Sequence, residues 1–161
     1  MKFLSIAATA VVALSALILI AGQLGLLTGK IPDKLGVTHG RLQPPSLTPN
    51  SVSSQADLYP EHPQREYANI APLRYTGDGK AALDRLALIL KSWDRTTVVT
   101  QNTEYIYAQS TTAWLRFTDD LEFWLDSTNA VIQVRSASRL GRKDFGVNRA
   151  RIEAIRARFG A

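Results

Sequence analysis

The stretch DDLEFWLDSTNAVIQVRSAS, residues 119 to 138, decides the fold. Apolar and polar residues alternate on both sides of a short polar segment around Thr128-Asn129, the pattern of two strands joined by a tight turn. If Ser127 opposes Ala130, Leu121, Phe123 and Leu125 face Ser136, Val134 and Ile132 on an inner surface, whether the loop is counted as two residues or four. The same register sets Glu122 against Arg135 on the outer surface, Asp119 against Ser138 and Asp120 against Ala137. A hairpin with one apolar face is stable only when another layer covers that face.

The flanking segments supply such a layer. Upstream, TTVVTQ (96 to 101) and EYIYAQS (104 to 110) read as a second hairpin around Asn102-Thr103, and TTAWLRFT (111 to 118) reads as a further strand between the hairpins. Before them, TGDGKAALDRLALILKSW (76 to 93) has the period of a helix. Leu83, Leu86, Ala87, Leu90 and Trp93 fall on one face, and Asp78 is placed to cap its start. Its GDGK lacks the spacing of a phosphate-binding loop, and Lys80 is followed by alanine rather than by a hydroxyl residue. Downstream, a helix over about 147 to 159 carries Ile152, Ile155 and Phe159 on one face with Asn148 near its start. Phe145, just ahead of it, reads as a core residue like Phe159. The pairs Arg149/Arg156 and Arg151/Arg158 flank the apolar stripe, with stems over the core edge and heads in water. The order of elements predicts an α+β fold: an antiparallel sheet of four to five strands packed with two helices.

Three regions are expected along the chain: 1 to 28, 29 to 72 and 73 to 161. All seven prolines lie in the middle one, which is therefore extended and irregular, either a flexible spacer or an arm that buries Val52, Leu58 and Tyr59 along the domain. In the first region, Phe3 to Leu27 carries no charge. About 25 residues at ~1.5 Å each exceed the ~30 Å hydrocarbon core of a bilayer. A membrane anchor is expected; the alternative, a cleaved signal peptide, has a poor site at Ile20-Ala21-Gly22. Lys2 on one flank and Lys30 and Lys34 on the other leave its orientation open.

The net charge of +5 is local in origin. From 135 to 158, eight cations stand against Asp144 and Glu153, so the rest of the chain is close to neutral. Such clustering favours an anionic contact on one face, an anionic ligand or a lipid surface, over nucleic acid, for which stacking aromatics are wanting. With no cysteine, thiolate zinc sites and thiol nucleophiles are excluded.

Three stretches, PNSVSSQA (49 to 56), FTDDLEFWLD (117 to 126) and VRSASRLGRKDFGVNRARIEAIR (134 to 156), resemble the family called domain of unknown function 1499, found in bacteria and plants. Many members have cysteine where this chain has Pro45 and Ser51, as if joined by a disulfide; here the arm must hold by packing and hydrogen bonds. The resemblance implies an envelope-associated domain, on the periplasmic or extracytoplasmic side, and it implies no activity.

The candidate chemistry gathers near the open end of the second hairpin. As a polar latch between sheet and final helix, Ser136, Ser138, Arg139, Asp144 and Asn148 would satisfy one another, with Asp144 capping the helix and Arg139 bridging to the Asp119-Asp120 corner. Arg139, Arg142 and Arg149 could instead hold a phosphate or carboxylate at the helix start. As a catalytic group, Asp119, Asp120, Ser138 and Arg139 could divide acid and base roles. No histidine lies near, and no nucleophile elbow or metal-ligand spacing is present; His39 and His62 are in the arm. The expectation is a membrane-anchored envelope protein acting as a binding or accessory module, without cofactor or metal; the alternative is a hydrolase-like enzyme using that corner.

Overall fold

A computed structural model of the chain describes residues 2 to 160. Helix α1 (Lys2–Gln23) is followed by an irregular arm containing β1 (Ser51–Ser53), a 3-10 turn (Ala56–Leu58) and the single-turn helix α2 (Arg65–Ala68). Then come β2 (Leu73–Arg74), α3 (Gly79–Lys91), β3 (Thr96–Gln101), β4 (Tyr105–Thr111), β5 (Thr118–Asp126), β6 (Val131–Ser138) and α4 (Val147–Phe159). The sheet is antiparallel, in the order β1, β6, β5, β4, β3, and β2 pairs with β6 as well.

The register of β5 on β6 is the one read from the alternation: Leu121 faces Ser136, Phe123 faces Val134, Leu125 faces Ile132 and Glu122 faces Arg135. The inner face meets α3 and α4. Leu121, Phe123, Ile132 and Val134 pack there with Leu83, Leu86 and Leu90 of α3 and Ile152, Ile155 and Phe159 of α4. Each of these side chains contributes about 1.5–3 kcal/mol by leaving water. The Asp78 carboxylate accepts from the Ala81 amide at 2.6 Å and so starts α3 where the sequence places its cap.

The structure corrects two expectations about the strands. TTAWLRFT is not a strand. The β4–β5 ladder runs on to Thr111 opposite Thr118, and the six residues between them close it as a turn. Thr112 ends the alternation, its amide donating to the Phe117 carbonyl and its hydroxyl accepting from the Phe117 amide, both at 3.0 Å. Arg116 takes up a φ of 53° there, which a strand would not contain. The remaining strands come from outside the hairpins: β1 and β2 follow one another along the far edge of β6, opposite Arg135 to Ala137 and Val131 to Ile132.

The outer face is also not a solvent face. The arm covers it, so Glu122 is fully buried and Arg135 is 8% exposed. The Gly36 amide donates to Glu122 Oε1 at 2.7 Å, and Arg135 Nε donates to the Pro44 carbonyl at 3.3 Å. Within the arm, Leu42, Val52 and Ala56 are buried, whereas Leu58 stays 44% exposed. In the arm, Pro45 is buried and the Ser51 hydroxyl accepts from the Ser46 amide at 2.8 Å.

Candidate functional site

Successive residues of a strand point to opposite faces, and this fact arranges the polar groups near the end of the β5–β6 hairpin. Ser136 and Ser138 lie on the inner face beneath the start of α4. Asn148, fully buried on the first turn of that helix, reaches down between them. Its side-chain oxygen accepts from the Ser136 hydroxyl at 2.5 Å and from Arg151 Nη1 at 3.1 Å. Its amide nitrogen donates to the Ser138 hydroxyl and to Asp144 Oδ2, both at 2.9 Å, and to the Asn50 carbonyl of the arm at 3.1 Å. The hydrogen-bonding capacity of this amide is fully used, which is what its burial demands.

Asp144 organises the loop before α4. Gly146 occupies the cap position with a φ of 82°, and Asp144 reaches past it to accept from the amides of Gly146 at 3.0 Å and Asn148 at 3.1 Å. The Tyr67 hydroxyl, from α2, donates to Asp144 Oδ1, the oxygen that also accepts from the Gly146 amide. Burial works against the charge on this carboxylate, but the bonds from Tyr67, Gly146 and Asn148 outweigh it and hold the group below the ordinary aspartate range. Tyr67 is correspondingly pushed up, by burial and by its bond to Asp144.

Asp119 and Asp120 stand on opposite faces of the sheet. Asp119 points inward, where Arg151 Nη2 meets it at 2.6 Å in a pair whose side chains are 5% and 10% exposed. Asp120 points outward and receives Arg139, with Nε at 2.9 Å from one oxygen and Nη2 at 2.7 Å from the other. The Tyr107 hydroxyl completes that second cluster, donating to Asp120 at 2.6 Å and accepting from Arg139 Nη2 at 3.1 Å. Arg139 is held more firmly protonated by the bond to Asp120, against the opposing effect of burial. Burial and the bond to Asp120 push the Tyr107 phenol up, and burial and Glu122 do the same to Tyr105.

The structure therefore brings together Ser136, Ser138, Asp144 and Asn148, and it sets Arg139 apart from them on the other face. The two aspartates do not form a corner pair. Each is paired with its own arginine on its own face of the sheet. Nor do the three proposed anion ligands converge: Arg139 is bound to Asp120, Arg149 donates to the Tyr67 carbonyl at 2.5 Å, and Arg142 is exposed, with no ion pair among the described residues. Of the arginines flanking the apolar stripe of α4, Arg149, Arg151 and Arg156 are half-buried, and Arg158 stays exposed. Arg151 is engaged by Asp119, Arg156 bonds the Ala71 and Pro72 carbonyls at 2.6 Å, and Arg158 lies 4.3 Å over the Trp93 ring.

Sequence reasoning missed the partners supplied from far away, Asn50, Tyr67 and Tyr107. Only the last had a local signal, because alternation from Tyr105 puts it on the face of Asp120. Phe145 was misplaced outright. It is 92% exposed, with a φ of 53°, while Phe159 is buried as expected. Among the described residues no group of three or more histidines, aspartates or glutamates is placed to hold a metal ion.

A two-layer α+β domain with an arm across its second face, tied to an N-terminal apolar helix and carrying two closed polar clusters, is the class these features define. The family described as Protein of unknown function (DUF1499) matches residues 41–159, and the chain belongs to it. No curated protein and no solved structure matches the chain.

Proposed function

We propose that this protein is a membrane-anchored module of the cell envelope whose folded part binds or assists another component rather than catalysing a reaction. One observation carries the reading: α1 projects from the domain. The window Ile6–Gln23 is long and apolar enough to cross a bilayer, and only 6% of it is buried against the rest of the chain. A helix so apolar and so little covered is suited to a hydrocarbon environment, which supports the anchor. The extracytoplasmic side is the side on which a disulfide in the arms of relatives would persist. A binding role is favoured by the state of the polar groups, since the acids and hydroxyls that could do chemistry are already bonded to one another.

Cell fractionation with alkaline extraction, followed by protease treatment of intact and opened cells, tests the reading. The expected result is a full-length chain that resists extraction and is digested only when the protease reaches the envelope side. A shortened, extractable chain would replace the anchor with a cleaved signal.

A further inference from the structure

The junction between α1 and the domain is built, not loose. Gln23 Nε2, at the end of α1, donates to the Trp114 carbonyl at 2.8 Å, and Arg116 Nη1 donates back to the Gln23 carbonyl at 3.5 Å. Gly22 lies directly on the backbone of Leu115, where a Cβ would come within 2.8 Å of its Cα. Gly29 likewise sits against Arg139 and Leu140. The turn 112 to 117 and the loop 139 to 147 are thereby fixed beside the end of the apolar helix.

These two segments expose what a folded domain ordinarily hides. Trp114 is 73% exposed, Phe145 92%, Val147 45% and Leu140 42%. Between turn and loop runs an apolar groove of about 360 Å³, with Phe117 and Leu140 on one part of its wall and Phe145 and Val147 on another. On the other side of Phe145 lies a second apolar hollow of about 320 Å³, formed with Pro49 and Tyr67. Phe145 is held in the left-handed region, which is unfavourable for a bulky side chain, and its ring packs into neither the core nor α4. Arg116, Arg142 and Lys143 accompany these apolar groups, and none makes an ion pair among the described residues. Tryptophan and phenylalanine beside unpaired cations, at the end of a membrane-length helix, match the chemistry of the headgroup–acyl boundary.

We infer that the turn 112 to 117 and the loop 139 to 147 form a second membrane contact, in which Phe145 and Trp114 enter the boundary region while Arg142 and Lys143 meet anionic headgroups. The inference rests on the anchoring of α1 and adds that the domain lies down on the bilayer instead of standing clear of it. The committed occupant is the lipid surface that α1 itself enters, because the groove is lined by Thr112 and Phe117 of the turn that bonds Gln23 and by Leu140, against which Gly29 sits, and the cations beside it are complementary to anionic lipid.

The chain has no cysteine, so single spin labels can be placed in the full-length protein in nanodiscs containing anionic lipid. Labels at Val12→Cys in α1, Val147→Cys in the loop and Thr103→Cys in the opposite, β3–β4 turn are compared for accessibility to oxygen, which concentrates in lipid, and to a water-soluble nickel complex. The expected result is a several-fold higher oxygen-to-nickel ratio at 12 and 147 than at 103, with Phe145→Glu returning position 147 to the value at 103. A lipid-like label at 12 with water-like labels at 147 and 103 overturns the second contact and leaves the anchor standing. A water-like label at 12 overturns both. Shielding of 147 from both reagents would mean a protein neighbour and would also overturn the inference, as would a depth at 147 unchanged by Phe145→Glu.

Discussion

Two parts of the same sheet end differ in how their side chains are used. Around Asn148, buried hydroxyls, amides and carboxylates meet partners on the strands, the helix and the arm. Around Phe145, only a few residues away, large apolar groups are exposed beside cations that make no ion pair among the described residues. The contrast separates residues that hold the molecule together from residues left over for something outside it, and proximity in sequence does not decide which is which.

The sharpest way to break this contrast is to open the closed side. Arg139→Ala strands the Asp120 carboxylate, 1% exposed, on the arm-covered face. Losing one member of a buried pair costs about 3–5 kcal/mol. Equilibrium unfolding of the detergent-solubilised full chain measures this loss, and Asp120→Leu with Arg139→Met recovers most of it. A loss below about 1 kcal/mol would show that water reaches the pair. Next comes Asn148→Ala, which leaves Ser136, Ser138 and Asp144 short of partners and lowers stability by about 2–3 kcal/mol. The same change made at Lys143 leaves stability within about 0.5 kcal/mol.

Acidification sharpens the comparison further. Folding depresses the pKa of Asp144, so the unfolded chain binds the extra proton first, and stability from this group is present above the ordinary aspartate pKa. It is lost as pH falls below about 4 and through the lower, folded value. Asp144→Asn flattens the fall of the melting temperature across that window; an unchanged slope would assign acid sensitivity to other carboxylates. The effect on the open side is small and of opposite sign. Phe145→Gly relieves a left-handed phenylalanine but adds freedom to the unfolded loop, so stability stays level or rises by up to about 1 kcal/mol. A loss larger than that in the same unfolding measurement would make Phe145 a packing residue after all.

The legible parts of the fold were those governed by short-range periodicity. Alternation from Leu121 to Ser138 set the register of β5 and β6, and the spacing of Leu83, Leu86 and Leu90 set the buried face of α3. TTAWLRFT defeated the same rule, because a period of two cannot show that Thr111 and Thr118 already pair with each other. The candidate site was legible in membership on the inner face and illegible in its partners. Asn50 and Tyr67 come from the arm, whose path over the domain is fixed by tertiary contacts alone. Arg139 was expected to bridge the Asp119-Asp120 corner to the latch; it reaches Asp120 alone, because its parity with Ala137 turns it outward with that residue. Phe145 was read as core by composition, and only backbone geometry at Gly146 and the loop shows the ring turned away.

The bonded seam between Gln23 and the 113 to 116 turn holds the domain to the end of α1 at a point far along the chain from the covalent link. β5 starts near that seam and runs nine residues, about 30 Å at ~3.3 Å each, before it turns back. Whatever meets the distal turns at Asn102 or Asn129 therefore meets them at a set reach and heading from the foot of the helix, and lengthening the seam by a few flexible residues would blur that address without altering a single residue of the globule.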